Sequence, residues 1–358
     1  MAQINEKCGG IFLEMVSIRN EIAALYGYDN YADYADSVKY SRTYSADDMN
    51  ALKSAAKELG SDYLNDYYYL SSICPEFDTD ASELLDFSGS YLSGISSYLD
   101  ESWNFFTEHS LYSIGKEDYR TDLASTSEFI GWEPIILYKQ CGNVFDVTQL
   151  AHEMGHFTEA HRNQRKDRLF NSGSLSIFEI HSTAISLLAT ANYEELFPED
   201  WYILVAYTAL ELLSYVTDGC MVDDFERTIY ENPGMTLDEI NDLYLSINAE
   251  YGNDSYPGQQ YEWVYVNHTF SLPVYYFDYA SSAFASLQIW LESLEDYEAA
   301  VAKWEQIIDL GAYDYPYQEV LDAAGLKTFE DAGTDLEILS SVLDAVNKIY
   351  YEGSGLTE

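Results

Sequence analysis

The segment FDVTQLAHEMGHFTEAH, residues 145–161, contains the most specific pattern in the chain. It contains HEMGH, in which His152 and His156 are four residues apart and share one face of a helix, with Glu153 beside them. Two neutral imidazoles at this spacing can bind one zinc ion, and a neighbouring glutamate can take a proton from the water that the metal activates. HEMGH therefore predicts a zinc site that needs one more protein ligand, and the alternative is a chance occurrence with a structural role.

Glu179 is the candidate for that third ligand. It lies in SLSIFEIHSTAISLLAT, residues 174–190, on an otherwise apolar helix that follows the first. A buried carboxylate without a partner is costly, and a metal would remove that cost. An exposed helix glutamate is the alternative, and the presence of HEMGH favours the ligand.

The rest of the chain is predicted to be mainly α-helical. Apolar residues recur at helical spacing, and the expected long helices cover residues 11–27, 45–72, 81–108, 146–189, 201–216, 273–294 and 337–351. Asp146 with Gln149, and Thr236 with Glu239, match capping boxes at helix starts. Two or three short strands are expected between residues 111 and 147. The strand at residues 135–138 could pair with an extended peptide, or it could be an edge strand without a ligand.

Composition excludes several classes of partner. The 358 residues carry 17 basic and 62 acidic side chains, a net charge of −45, so nucleic acid and anionic lipid would be repelled. Since no uninterrupted run of about 18 apolar residues occurs, no membrane insertion is expected. No repeat or composition break divides the chain, which predicts a single domain over residues 1–358.

Further segments accompany HEMGH. The glycine within the motif is Gly155, FDVTQLA precedes the motif, and Ser182 follows Glu179 at three residues. Downstream lie the pair Phe225–Glu226 and HTFSLPVYYFDYA, residues 268–280, while IRNEIAALYGYDNYADY opens the chain at residues 18–34. In these features the chain resembles, over nearly its whole length, the oligoendopeptidase F branch of the thimet-oligopeptidase-like zinc metallopeptidases, the M3 family.

The resemblance implies a mainly α-helical metallopeptidase catalytic domain, with a small β region beside a deep substrate channel. It implies a zinc-dependent endopeptidase that hydrolyses internal bonds of short peptides, with one zinc ion per chain. The implied zinc ligands are His152, His156 and Glu179, and the implied general base is Glu153. The groups near the carbonyl oxygen would be His268, Tyr275, Tyr276 and Tyr279, of which Tyr279 is the preferred donor, although spacing leaves this choice open.

The chain departs from its relatives in three places. The family's upstream N-terminal domain has no counterpart before Met1, so the channel is expected to lack part of its wall. Ser186 stands where many relatives have a second glutamate, and Glu159 stands where they often have a histidine. His161 and His181 are therefore expected outside the set of metal ligands.

Two alternatives to an active enzyme remain at this stage. One is a catalytically impaired, peptide-binding relative that keeps the fold and the metal site, and the other is an acidic interaction protein in which HEMGH is structural. Retention of Glu153 favours the enzyme, because water activation needs that glutamate whereas metal binding does not. Family members are often cytoplasmic, while the acidic composition leaves a secreted or cell-surface origin open, and the sequence does not define the oligomeric state.

Overall fold

The computed structural model describes residues 1–120, 124–127, 132–163, 173–329 and 331–355. Within these ranges the chain is mainly α-helical with one small sheet, which confirms the predicted fold class. The α-helices are α1 Ala2–Leu25, α2 Tyr31–Tyr34, α3 Ala46–Leu59, α4 Tyr63–Ile73, α5 Ala81–Leu92, α6 Ser97–Glu108, α7 Phe145–Arg162, α8 Leu175–Leu188, α9 Tyr193–Leu196, α10 Trp201–Glu231, α11 Leu237–Glu250, α12 Asn267–Ser271, α13 Tyr276–Ser293, α14 Tyr297–Leu310, α15 Tyr317–Ala323 and α16 Ala332–Ser354. A π-helical turn forms at Ala35–Lys39, and 3₁₀ turns form at Ala189–Asn192 and Gln259–Tyr265.

The sheet has three strands, β1 Tyr112–Gly115, β2 Ser125–Ser127 and β3 Ile135–Lys139, in the order β1-β3-β2. β3 pairs with β1 in parallel and with β2 antiparallel. The expectation that residues 135–138 form an edge strand open to a peptide is therefore wrong, because both edges of β3 are already paired. The outer strands of the sheet are β1 and β2.

The chain forms two compact units. One comprises Met1–Tyr63, Ser214–Ser281 and Phe329–Ser340, and the other comprises Leu64–Leu213, Ser282–Thr328 and Ser341–Glu358. The core of the first unit centres on Trp263, which is fully buried against Phe12 and Phe225. In the second unit α7 lies between α6 and α8, with the sheet beside it. The predicted single domain over residues 1–358 stays a prediction.

Local sequence explains several helix boundaries. Ser45 and Thr236 both begin helices with capping boxes, as the spacing of Thr236 and Glu239 predicted. The helix expected over residues 45–72 is instead divided at Gly60, whose φ of +72° ends α3. The segment expected as one helix over residues 81–108 is likewise two helices, α5 and α6.

Asp146 is not the N-cap that its spacing from Gln149 predicted. α7 begins at Phe145 with Val144 as its N-cap, two residues before Asp146, and the Asp146 carboxylate is fully buried. It accepts hydrogen bonds from the backbone N–H groups of Cys141 at 2.7 Å and Gly142 at 2.9 Å, and from the Tyr138 hydroxyl. Asp146 thus stabilises the β3–α7 connection that leads the chain into HEMGH.

α10 is the one described helix that is long and apolar enough, by length and composition, to cross a membrane. In the structure 83% of its most apolar window is buried. Such burial is typical of a core helix in a soluble protein.

Candidate metal centre

The three predicted ligands come together in the second unit. His152 and His156 lie one turn apart on α7, and Glu179 reaches them from α8. Glu179 Oε2 is 3.9 Å from His152 Nε2 and 3.7 Å from His156 Nε2, and the donor atoms all lie within 4.8 Å of one another. Their side chains are 20%, 21% and 12% exposed.

Gly155 explains how α7 and α8 approach closely enough to build this group. A Cβ atom at Gly155 would lie 2.3 Å from the carbonyl oxygen of His181 and 2.5 Å from the Cα of Ser182. Both are backbone atoms of α8 and cannot move aside as a flexible side chain would. The glycine of HEMGH therefore permits the helix contact that places Glu179 opposite the two histidines.

The donor set fits zinc. Zn–N and Zn–O bonds of about 2.0–2.2 Å in a tetrahedral site place ligand atoms about 3.3 Å apart. The observed separations of 3.7 and 3.9 Å are too long for hydrogen bonds and slightly wider than that value. Burial holds the pKa of His152 well below its usual range, and the charge of His156 adds to this effect, so His152 is in the neutral form that binds metals.

Glu153 lies beside the ligands and is only 3% exposed. Thr126 of β2 donates its hydroxyl to Glu153 Oε2 at 2.8 Å and to the carbonyl oxygen of the same residue at 3.0 Å. Gln149 Nε2 lies 3.3 Å from Oε1. Burial raises the pKa of Glu153, whereas His156 and the bonds from Thr126 and Gln149 act in the opposite direction.

The sequence did not point to Thr126. It lies in the short run STS, in a segment where no motif assigns it a role. Its contact with Glu153 depends on the pairing of β2 with β3, which no local pattern specifies. Gln149 could have been found, since it precedes Glu153 by one helical turn.

His268, Tyr275, Tyr276 and Tyr279 form a second group, within the first unit, which we call the aromatic cluster. The ring of His268 lies 5.1, 5.6 and 6.0 Å from those of Tyr275, Tyr276 and Tyr279. Tyr279 contacts the other two tyrosine rings edge-on at 4.9 and 5.5 Å. The four residues that the family resemblance groups together thus lie close to one another in the structure. Burial lowers the pKa of His268 and raises that of Tyr276.

His161 and His181 lie outside the ligand group, as expected. His161 stacks on Phe105 with ring centroids 4.2 Å apart. His181 is fully buried on α8, and burial lowers its pKa to about 3. Among the described residues, His152, His156 and Glu179 form the one group of three such side chains able to hold a metal.

Solved structures share this architecture. PZ peptidase A, solved with an inhibitor, is 21% identical and matches with a TM-score of 0.86 over 97% of this chain and 66% of its own. The oligoendopeptidase F of Enterococcus faecium is 16% identical and matches with a TM-score of 0.60 over 97% of this chain and 60% of its own. This chain has the oligoendopeptidase F fold. The predicted resemblance to that group of peptidases is confirmed.

A curated relative supports the same grouping. Oligopeptidase PepF of Bacillus subtilis (strain 168) is 27% identical over 214 residues, which cover 57% of this chain and 32% of the relative. No family model matches the chain. The chain spans about a third of PepF in this match and 66% of PZ peptidase A.

Proposed function

We propose that this chain with the oligoendopeptidase F fold is a zinc-dependent endopeptidase that hydrolyses internal bonds of short peptides. The observation that carries the proposal is the position of Glu153. The Glu153 carboxylate is buried and interacts electrostatically with His156 and Glu179, two of the three residues whose donor atoms can surround one ion. Relatives of the same fold named as peptidases support the reaction class.

His152, His156 and Glu179 would hold one zinc ion per chain. A zinc ion bound by three protein ligands lowers the pKa of a coordinated water to about 7 and polarises a carbonyl group. Glu153 accepts the proton of the attacking water and delivers it to the leaving amine. Thr126 and Gln149 orient its two oxygens during this transfer.

The aromatic cluster supplies candidate donors for the developing oxyanion. The resemblance to the family gives this role to His268, Tyr275, Tyr276 and Tyr279, and we keep Tyr279 as the preferred donor. A donor directed at an oxyanion in a water-poor site contributes about 2.7–4 kcal/mol elsewhere.

We propose that the backbone of a bound peptide pairs with β2, and not with β3. β2 is an outer strand, and its residue Thr126 contacts Glu153. Backbone pairing reads a peptide without reading its side chains, which suits a peptidase of broad specificity.

Hydrolysis of a mixed pool of short peptides, followed by mass spectrometry, tests the proposal. We expect internal cleavage that stops when a chelator removes the metal and returns when zinc is added. If the folded, zinc-loaded protein binds peptides and cleaves none, the chain is a peptide-binding relative. If the folded protein takes up no zinc, the metal site itself is wrongly assigned.

A further inference from the structure

Val274 has an unusual backbone conformation immediately before the aromatic cluster. Its φ is +66°, in the left-handed region, although valine is β-branched and strongly disfavoured there. The side chain is fully buried in the first unit. Such a conformation persists only where surrounding contacts enforce it.

The peptide group before Val274 is fixed at both of its polar atoms. The Tyr40 hydroxyl donates to the carbonyl oxygen of Pro273 at 2.8 Å. The N–H of Val274 donates to the Glu226 carboxylate, which is only 1% exposed. This peptide plane therefore cannot rotate without breaking a buried hydrogen bond.

The peptide group after Val274 is fixed in the same manner. Arg42 Nη2 donates to the carbonyl oxygen of Val274 at 2.7 Å, and the N–H of Tyr275 donates to the carbonyl oxygen of Leu272 at 3.2 Å. The torsions φ and ψ of Val274 are the two rotations between these planes. With both planes held, the left-handed conformation is imposed from outside the residue.

The Arg42 side chain is itself held in place. It is 2% exposed and pairs with Asp278 of α13 at 2.6 Å and with Asp36 at 2.6 Å. Arg42 thus joins the carbonyl oxygen of Val274 to the first turns of α13, where Tyr276 and Tyr279 lie. Because Val274 sets the direction in which the chain enters α13, its torsions determine where the aromatic rings point.

We propose that Glu226 is a positioning residue for the aromatic cluster: by accepting the N–H of Val274 it holds the left-handed turn that orients Tyr275 and the start of α13. The proposal rests on the proposed peptidase function, in which that cluster contacts the substrate. The oxygen atom, and not the charge, is what the contact needs. Glutamine can supply that oxygen and alanine cannot.

Peptide turnover by variants of the zinc-loaded protein tests this role. Glu226→Gln should keep kcat/KM within about twofold of wild type, since its amide oxygen still accepts the N–H. Glu226→Ala should lower kcat by about tenfold with zinc content unchanged, because Val274 then relaxes from its disfavoured conformation. Adding Val274→Gly to Glu226→Ala should recover most of that loss, since glycine adopts positive φ without cost.

Ile240→Ala is the matched control. It removes a fully buried side chain from α11 of the same unit and should lower stability while leaving kcat unchanged. Equal losses of activity in Glu226→Gln and Glu226→Ala, no recovery in the double variant, or the same loss of kcat in Ile240→Ala would each overturn the proposal.

If wild type cleaves no peptide, the peptidase function fails. The contact between Glu226 and the turn is then tested by a double-mutant cycle, in which the free energy of unfolding is measured for Glu226→Ala, Val274→Gly and the double variant. Additive effects of the two substitutions would overturn the proposed contact.

Discussion

At the scale of single residues, the proposed peptide hydrolysis depends on the orientation of Glu153. A general base must lie within hydrogen-bond distance of the proton that it removes, and small misplacements are costly. Thr126 donates one hydroxyl to both the carboxylate and the carbonyl of Glu153, at 2.8 and 3.0 Å. The hydroxyl therefore fixes the side chain relative to its own backbone.

Replacing Thr126 by valine keeps the shape of the side chain and removes the hydroxyl. We expect kcat to fall by about tenfold with zinc content unchanged, because Glu153 loses its orienting contact. Thr126→Ser, which retains the hydroxyl, is the control and should keep most of the activity. Steady-state kinetics with a single fluorogenic peptide would check this, and full kcat in Thr126→Val would contradict the orienting role.

At the scale of elements, the metal centre depends on the contact between α7 and α8. The sequence predicted both helices and all three candidate ligands, because HEMGH and the isolated carboxylate on an apolar helix are local patterns. It predicted Asp146 wrongly as the N-cap of α7, since the Asp146 carboxylate instead accepts the N–H groups of Cys141 and Gly142. It also placed β3 wrongly at an edge of the sheet. Strand order depends on pairing between distant segments, which no local pattern specifies.

Gly155→Ala tests the helix contact. The added methyl group would meet α8 backbone at 2.3 Å, so we expect a loss of about 1–3 kcal/mol in the free energy of unfolding, together with weaker zinc binding. Gly10→Ala in α1 is the control, since nothing lies within 4 Å of its Cβ position. It should be neutral or stabilise by up to about 1 kcal/mol. Wild-type stability and zinc affinity in Gly155→Ala would show that the glycine is not required.

At the scale of the whole molecule, acidic residues dominate the charge, and burial raises the pKa of a few of them. Burial raises the pKa of Glu211 to about 7, against the opposing effect of the hydrogen bond from Tyr207 at 2.8 Å. Cys74 and Tyr193, which interact electrostatically with Glu211, have raised pKa values and are neutral near pH 7. The Glu211 carboxyl therefore keeps its proton in the folded state above its unfolded pKa of about 4.3.

The sign of the effect on stability follows. The folded state binds a proton that the unfolded state has lost, so this contribution falls as pH rises from about 4.3 and is gone above about pH 7. Between pH 6 and pH 8 it amounts to about 1.4 kcal/mol. In wild type the free energy of unfolding should therefore fall more between pH 6 and pH 8 than in Glu211→Gln, by about 1.4 kcal/mol. Urea unfolding of the zinc-loaded proteins at the two pH values measures this difference. Identical pH profiles would contradict protonation of Glu211.

The sequence predicted far less at this scale than at the others. The position of HTFSLPVYYFDYA indicated the aromatic cluster, but nothing near it indicated that Arg42 and Glu226 hold its backbone. These residues lie 232 and 48 positions from Val274 in the chain, and only the tertiary structure brings them together. Local patterns thus predicted the candidate ligands and Glu153, and the family resemblance added the aromatic cluster, while the residues that contact these groups could be found only from the fold.

We propose Glu153 as the general base at a zinc site formed by His152, His156 and Glu179. The most direct measurement is turnover of a short peptide by Glu153→Gln, with bound zinc determined by mass spectrometry on the same sample and Glu179→Ala as the comparison. We expect Glu153→Gln to keep one zinc per chain and to lose nearly all turnover, whereas Glu179→Ala should lose both. Turnover that survives in zinc-loaded Glu153→Gln would contradict the proposal.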